Sequence, residues 1–197
     1  MKQSRTLQTA LFACGLVFTA AASAGGGASG SMLGNTCAGC HGTNGVSAGP
    51  SPTIAGMSPD YIAETMKGFK SGEIRSTIMT RIAKGYSDAD IDAMAKYFSG
   101  KKYVKAVQES DSAAAKRGAK LHDKYCEKCH EDVGTSAGDD SGFLAGQHKL
   151  YLQYTMSDFM DGGREPGKKM KKKLMKMHKK SGDKGLADLV EYYASQK

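Results

Sequence analysis

The chain has 197 residues, enough for one or two domains, and a formal net charge of +8. No stretch after residue 24 is apolar enough to cross a bilayer, which argues against a transmembrane protein. The positive charge is concentrated in residues 164–184, which alone carry +8. An exported protein rarely meets nucleic acid, and residues 1–24 predict export. An acidic protein or an anionic lipid is therefore the expected partner of this positive charge.

Residues 1–24 have the pattern of a secretory signal peptide. Lys2 and Arg5 form a basic start, residues 7–22 are mostly apolar or small, and Ala22-Ser23-Ala24 has the form that signal peptidase cleaves. The apolar stretch is shorter than the ~20 residues of a membrane span. It also continues past Cys14, which makes a lipid anchor there the weaker alternative. We expect cleavage after Ala24, a periplasmic location and a mature charge of +6.

The remaining chain repeats itself once. Ile54-Ala55-Gly56 matches Leu144-Ala145-Gly146, and a C-x-x-C-H motif occurs once in each half. This period indicates two copies of one domain, which we predict as residues 25–110 and 111–197. Further pairs at an offset of 90 are Tyr61 and Tyr151, Met66 and Met156, Phe69 and Phe159, and Gly72 and Gly162.

Hydrophobic periodicity predicts helices, with no convincing strand, and therefore an all-α fold. Residues 87–98 open with a capping-box-like Ser-x-x-Asp and continue with apolar residues on one face. Residues 113–125 are rich in helix formers, and residues 186–193 repeat the one-sided apolar pattern. Met66 and Met156 lie in aromatic stripes and are interpreted as helical core. The segments rich in Gly and Ser, such as residues 42–52, are predicted loops.

The two C-x-x-C-H motifs indicate covalent haem. The two cysteines of such a motif form thioether bonds to the haem vinyl groups, and the histidine is the proximal iron ligand. A shared zinc site is disfavoured because the cysteine pairs are 89 residues apart in separate repeats. Thioredoxin-like chemistry needs a βαβ setting, and disulfides within each motif would close only tiny loops. The predicted haem residues are Cys37, Cys40 and His41 in the first copy and Cys126, Cys129 and His130 in the second.

Methionine is the usual sixth ligand when a c-type haem only transfers electrons. Met79 lies 38 residues after the first motif histidine, and Met170 lies 40 residues after the second. Both precede apolar helical patterns, so they are the favoured ligands. In the second copy Met175, Met177 and His178 remain alternatives.

Longer strings carry a resemblance to a known family. They are residues 69–74 (FKSGEI), 76–79 (STIM), 81–87 (RIAKGYS), 118–126 (GAKLHDKYC) and 151–159 (YLQYTMSDF). Through them the chain resembles the cytochrome c4 group, in which two class I cytochrome c domains are fused. It is most similar to the dihaem cytochrome subunits of flavocytochrome c sulfide dehydrogenases.

The resemblance implies two tandem helical domains with pseudo-twofold symmetry, haems near their interface, and His/Met ligation through His41 with Met79 and His130 with Met170. It also implies an FAD-containing flavoprotein partner that oxidises sulfide in a heterodimer. This chain would then hold no catalytic residue and would transfer electrons to an external acceptor. In class I domains a proline carbonyl steadies the proximal histidine. Pro50 fits that role in the first copy, whereas residues 139–142 of the second contain no proline.

Three other functions remain open at this point. The chain could be a free dihaem carrier of the c4 type that supplies a terminal oxidase, or a haem enzyme, which would need an open iron position. A structural metal module is disfavoured by the arguments against zinc. If the basic segment at residues 164–184 is functional, it predicts an acidic electron-acceptor protein that approaches the second haem.

Overall fold

The computed structural model describes residues 28–135 and 141–197, so the predicted signal peptide lies outside the described residues. This part of the chain contains helices, turns and loops but no strand, which confirms the all-α prediction. None of its helices is long and apolar enough to span a membrane. The helices are α1 (Gly30–Asn35), α2 (Ala38–His41), α3 (Pro59–Ser71), α4 (Met79–Ala83), α5 (Asp88–Ser99), α6 (Ser112–Tyr125), α7 (Glu131–Gly134), α8 (Lys149–Asp161) and α9 (Lys168–Ala194).

The two copies of the repeat fold in the same way. In the first copy the Ile54 N–H donates to the Gly45 carbonyl at 2.8 Å, and in the second the Leu144 N–H donates to the Gly134 carbonyl at 2.9 Å. Both glycines have positive φ values, +79° and +80°, a conformation that glycine adopts at little cost. The same loop geometry therefore follows each C-x-x-C-H motif, although few residues of the two loops are identical.

The predicted helix at residues 87–98 is present as α5, and its start is a capping box. The Ser87 hydroxyl accepts from the Asp90 N–H at 3.2 Å, and the Asp90 carboxylate accepts from the Ser87 N–H at 3.0 Å. The prediction at residues 113–125 corresponds to α6. The pattern at residues 186–193 lies within α9, and α9 is interrupted at Gly182 (φ 58°, ψ −163°). Its two parts therefore occupy the places of α4 and α5 of the first copy.

Each copy has its own apolar cluster. In the first copy α5 buries its predicted face, with Ile91, Met94 and Phe98 all at most 2% exposed. The second cluster is built around α8 and α9, and its largest buried side chain is Tyr193. Phe143 belongs to the second copy but packs against the first cluster. The two cores are therefore in direct contact.

The closest helix packing in the second copy is between α6 and α9. A Cβ atom on Gly118 would lie 2.0 Å from the Asp188 carbonyl oxygen, so only glycine fits there. Beside it Arg117 holds the Asp188 carboxylate through two hydrogen bonds of 2.8 and 2.7 Å. This guanidinium, together with Lys184, holds the pKa of Asp188 below its usual range, although burial opposes the shift.

Hydrogen bonds also join the two copies. The buried Gln147 side chain accepts from the Thr53 N–H at 2.9 Å and donates to the Thr53 carbonyl at 2.9 Å. The His148 ring donates to the Ser47 carbonyl at 3.0 Å. At another point Arg75 forms an ion pair with Asp161 at 3.1 Å. These contacts fix the orientation of one copy against the other.

Candidate functional site

Each C-x-x-C-H motif forms a single tight turn. The His41 N–H donates to the Cys37 carbonyl at 2.9 Å, and the His130 N–H donates to the Cys126 carbonyl at 3.0 Å. Such a turn brings both sulfurs and the imidazole of one motif to one short stretch of surface. None of the four motif cysteines forms a disulfide in the described part of the chain. Burial raises the pKa of the Cys126 thiol to about 11.

The proximal histidine of the first copy is oriented by a proline, but not by the expected one. The Nδ1–H of His41 donates to the carbonyl of Pro52 at 2.8 Å, whereas Pro50 was predicted. The loop turns so that the later proline faces the ring. The bond fixes the tautomer and leaves Nε2 with a free lone pair for iron. Burial also lowers the pKa of His41, which keeps the imidazole neutral.

The second proximal histidine has a different environment. Nδ1 of His130 is buried and finds no hydrogen-bond partner among residues 28–135 and 141–197. This agrees with the expectation that the second copy lacks the proline acceptor. Burial, with a smaller contribution from nearby His122, lowers the pKa of His130, so this ring is also a neutral ligand. A neutral imidazole can bind iron through Nε2, but no acceptor among the described residues fixes the tautomer of His130 as Pro52 fixes that of His41.

A cavity of about 450 Å³ lies beside this motif. Its volume is within the range of cofactor pockets. Met170, the favoured sixth ligand, lines it, as do Met156 and the alternative Met177, whereas Met175 is 45% exposed. Cys126, Cys129 and His130 also line it, and Met57 and Tyr61 contribute from the first copy. The cavity thus brings together every second-copy haem residue that the sequence predicts, at the contact between the two copies.

In the first copy the predicted sixth ligand, Met79, is the first residue of α4 and is half-buried. Its N–H donates to the Ser76 hydroxyl at 3.1 Å, which fixes the start of the helix. Helix α4 packs against α3. The ligand assignments of Met79 and Met170 remain predictions, since sulfur placement alone does not establish an iron bond.

The surfaces around the two methionines differ. Ile78 and Ile82 flank Met79 and are 57% and 41% exposed. When the methionines are aligned, Lys169 and Lys173 take the places of these isoleucines beside Met170, and both line the cavity beside the second motif. The same structural position is therefore apolar in one copy and cationic in the other.

Sequence reasoning missed one part of the cavity wall. Arg164 lies there beside Tyr61 and Tyr151. Tyr151 and burial raise the pKa of Tyr61 to about 12, so its hydroxyl remains protonated. The alignment of the two tyrosines was visible in the repeat, but nothing in their spacing indicated an arginine between them.

Known proteins share this architecture. The cytochrome c family model matches residues 28–100. Cytochrome c4 of Pseudomonas aeruginosa is 31% identical over 170 residues, which are 82% of this chain and 84% of that protein. The cytochrome subunit of sulfide dehydrogenase from Chlorobaculum tepidum is 48% identical over 69 residues, which are 35% of this chain and only 63% of that protein. The crystal structure of reduced cytochrome c4 from Pseudomonas stutzeri superposes with a TM-score of 0.71 at 27% identity, covering 87% of this chain and all of that one.

Proposed function

Since the chain belongs to the cytochrome c4 family of dihaem electron carriers and binds two haem c groups covalently, we propose that it is the electron-transfer subunit of a sulfide-oxidising flavoprotein complex in the periplasm. When bound, each haem accepts and releases one electron at a time. The residues proposed to hold the haems are Cys37, Cys40, His41 and Met79 in the first copy and Cys126, Cys129, His130 and Met170 in the second.

The observation that carries this proposal is the difference between the surfaces around Met79 and Met170. Exposed isoleucines are suited to a permanent contact, because burying them in an interface removes apolar surface from water. Exposed lysines are suited to a transient partner, because they act on the rate of encounter more than on final affinity. The similarity to a sulfide dehydrogenase cytochrome subunit supplies the class of the permanent partner.

The chain itself is not proposed to oxidise sulfide. With His and Met on both irons, neither would keep an open position for a substrate. Sulfide releases electrons in pairs, and a flavin can accept a pair and pass it on singly. We therefore place FAD and the sulfide site on the partner subunit. The apolar surface formed by Ile78 and Ile82, called here the isoleucine surface, is the proposed docking point.

The proposal is tested with the mature chain and the flavoprotein purified from the same native extract. Sulfide added anaerobically should reduce the haem bands rapidly only when the flavoprotein is present. The double variant Ile78→Ser/Ile82→Ser should weaken co-purification. The control is Met32→Ser, which removes an apolar side chain from α1 that is 65% exposed, more than either isoleucine. Equally fast reduction of the chain alone by sulfide would favour an enzyme instead.

The lysines beside Met170 are proposed to guide an acidic electron-acceptor protein. Exposed charges are screened beyond ~8 Å at physiological ionic strength, so the rate of electron delivery should fall as salt rises. Lys169→Gln/Lys173→Gln should flatten that dependence. Lys116→Gln/Lys120→Gln removes the same charge from the exposed side of α6 and should leave the salt dependence nearly unchanged. Equal effects of both double variants would mean that only net charge matters.

A free carrier of the c4 type is the second candidate. The match to Pseudomonas aeruginosa cytochrome c4 favours it, because that match extends over 84% of the relative's length. A chain that never co-purifies with a flavoprotein, and whose isoleucine surface can be made polar without effect on electron delivery, would establish this alternative.

A further inference from the structure

Arg164, a cation in the wall of the cavity beside the second C-x-x-C-H motif, has no anionic partner among the residues that the structure describes. The guanidinium of Arg164 lies beside the hydroxyls of Tyr61 and Tyr151, and it is 5.3 Å from the centre of the Phe159 ring. Within residues 28–135 and 141–197, no carboxylate lies within 4.0 Å of it. Withdrawing a charge from water is costly unless it is paired and hydrogen-bonded. An anion bound at this site would give the guanidinium the charged partner that the described residues do not supply.

The geometry of the donors defines the kind of anion. A guanidinium is a planar fork that binds a carboxylate through two parallel hydrogen bonds. The Tyr61 hydroxyl, whose pKa of about 12 keeps it protonated, is a second donor beside the guanidinium. A haem carries two carboxylates, its propionates, on an otherwise apolar ring. The cavity that Arg164 lines is the one that also contains Cys126 and His130.

We propose that Arg164, assisted by the hydroxyls of Tyr61 and Tyr151, binds a propionate carboxylate of the second haem. The inference depends on the haem content of the chain and not on the identity of its redox partner, so it can fail or stand independently of the heterodimer.

This site joins the two copies of the repeat. Tyr61 belongs to α3 of the first copy, and its ring packs on the backbone of Gly142, where a Cβ atom would lie 2.8 Å from Cε1. Arg164 and Tyr151 belong to the second copy. The position that corresponds to Arg164 in the first copy is Ile74, whose side chain contacts Gly68. The first copy therefore has an apolar residue at the position of this cation.

A positive charge beside a propionate favours the reduced haem, because it offsets negative charge near the iron. Arg164→Gln should therefore lower the midpoint potential of one haem and leave the other unchanged. Arg75→Gln is the matched control, since Arg75 also lies at the contact between the copies but is exposed and paired with Asp161. Pyridine haemochrome analysis should still give two haems in each variant. Arg164→Lys keeps the charge without the fork and should give a smaller shift in the same direction, even if the glutamine variant fails to fold.

Infrared difference spectroscopy provides a direct measurement. Haem labelled with ¹³C in its propionate carboxyl groups should show a carboxylate band that moves in Arg164→Gln and not in Arg75→Gln. An unmoved band, or equal movement in both variants, would overturn the proposal. Asp139 and Asp140 lie outside the described residues, so Asp139→Asn/Asp140→Asn must also be measured. If that variant reproduces the change in potential while the labelled band stays in place, the partner of Arg164 is a protein carboxylate and the proposal is wrong.

Discussion

Replacing Gln147 by methionine should loosen the contact between the two copies of the repeat. The Gln147 side chain is fully buried and bonds both backbone groups of Thr53, a residue 94 positions earlier in the chain. Methionine has nearly the same length but cannot replace an amide as donor and acceptor. The Thr53 N–H and carbonyl, which belong to a residue only 1% exposed, would then be left without partners.

The expected magnitude follows from these two groups. A buried polar group that loses its partner costs about 1–3 kcal/mol, so the pair amounts to about 2–6 kcal/mol. Relaxation of the loop or entry of a water molecule would bring the value towards the lower limit. Domains of this size are stable by only about 5–15 kcal/mol. The substitution should therefore remove a large fraction of the stability that depends on contact between the copies.

Urea unfolding of the haem-containing protein, followed by circular dichroism, measures the change in the free energy of unfolding. Gln153→Met is the control, because Gln153 is exposed on α8 and its replacement creates no buried unpaired group. If Gln147→Met unfolds within about 0.5 kcal/mol of that control, which is the scatter of ordinary surface substitutions, the reasoning about Thr53 is refuted.

Three further predictions follow from the site and the helix packing. Met79→Ala and Met170→Ala should each remove about half of the near-infrared methionine-to-iron charge-transfer band of the oxidised protein, and a variant whose band keeps its full intensity would exclude the replaced residue as a ligand. The ionised Asp188 is bound by its arginine partner, so its folded-state pKa is depressed and its contribution to stability is present at neutral pH and lost as pH falls below about 4. Acid titration of thermal stability should be shallower in Asp188→Asn, and identical acid curves would show that the ion pair is irrelevant. Gly118→Ala should destabilise the protein by about 1–3 kcal/mol or more through overpacking against backbone, as measured by urea unfolding. Gly100→Ala, where the nearest atom is 3.7 Å away, should have little effect, and equal costs would contradict the packing argument.

The sequence predicts best those features that are encoded within a few residues. The Ser87 capping box lies within one helical turn, and each C-x-x-C-H motif closes its own turn through a backbone bond. The all-α class follows from periodicity along individual helices. Such interactions do not depend on the path of the rest of the chain.

Features that depend on distant residues could not be predicted in this way. The choice of Pro52 over Pro50 is determined by how a loop rich in Gly and Ser turns beneath His41. The bonds between Gln147 and Thr53 join positions 94 residues apart with no periodic signal. The ligand assignments at Met79 and Met170 and the domain boundaries at residues 110 and 111 remain predictions for the same reason, since position in sequence does not specify a metal bond or an independent folding unit.

The concentration of lysines in residues 164–184 has a consequence for how the molecule diffuses. Residues 164–184 carry +8 whereas the predicted mature chain carries +6, so the remainder is slightly negative. A chain charged in this way has a permanent electric dipole as well as a net charge. Near any anionic surface that dipole experiences a torque, which turns the lysine end forward before contact is made. Spreading the same lysines evenly would preserve the net charge and abolish the torque. Orientation during approach therefore depends on where these charges are placed and not on how many there are.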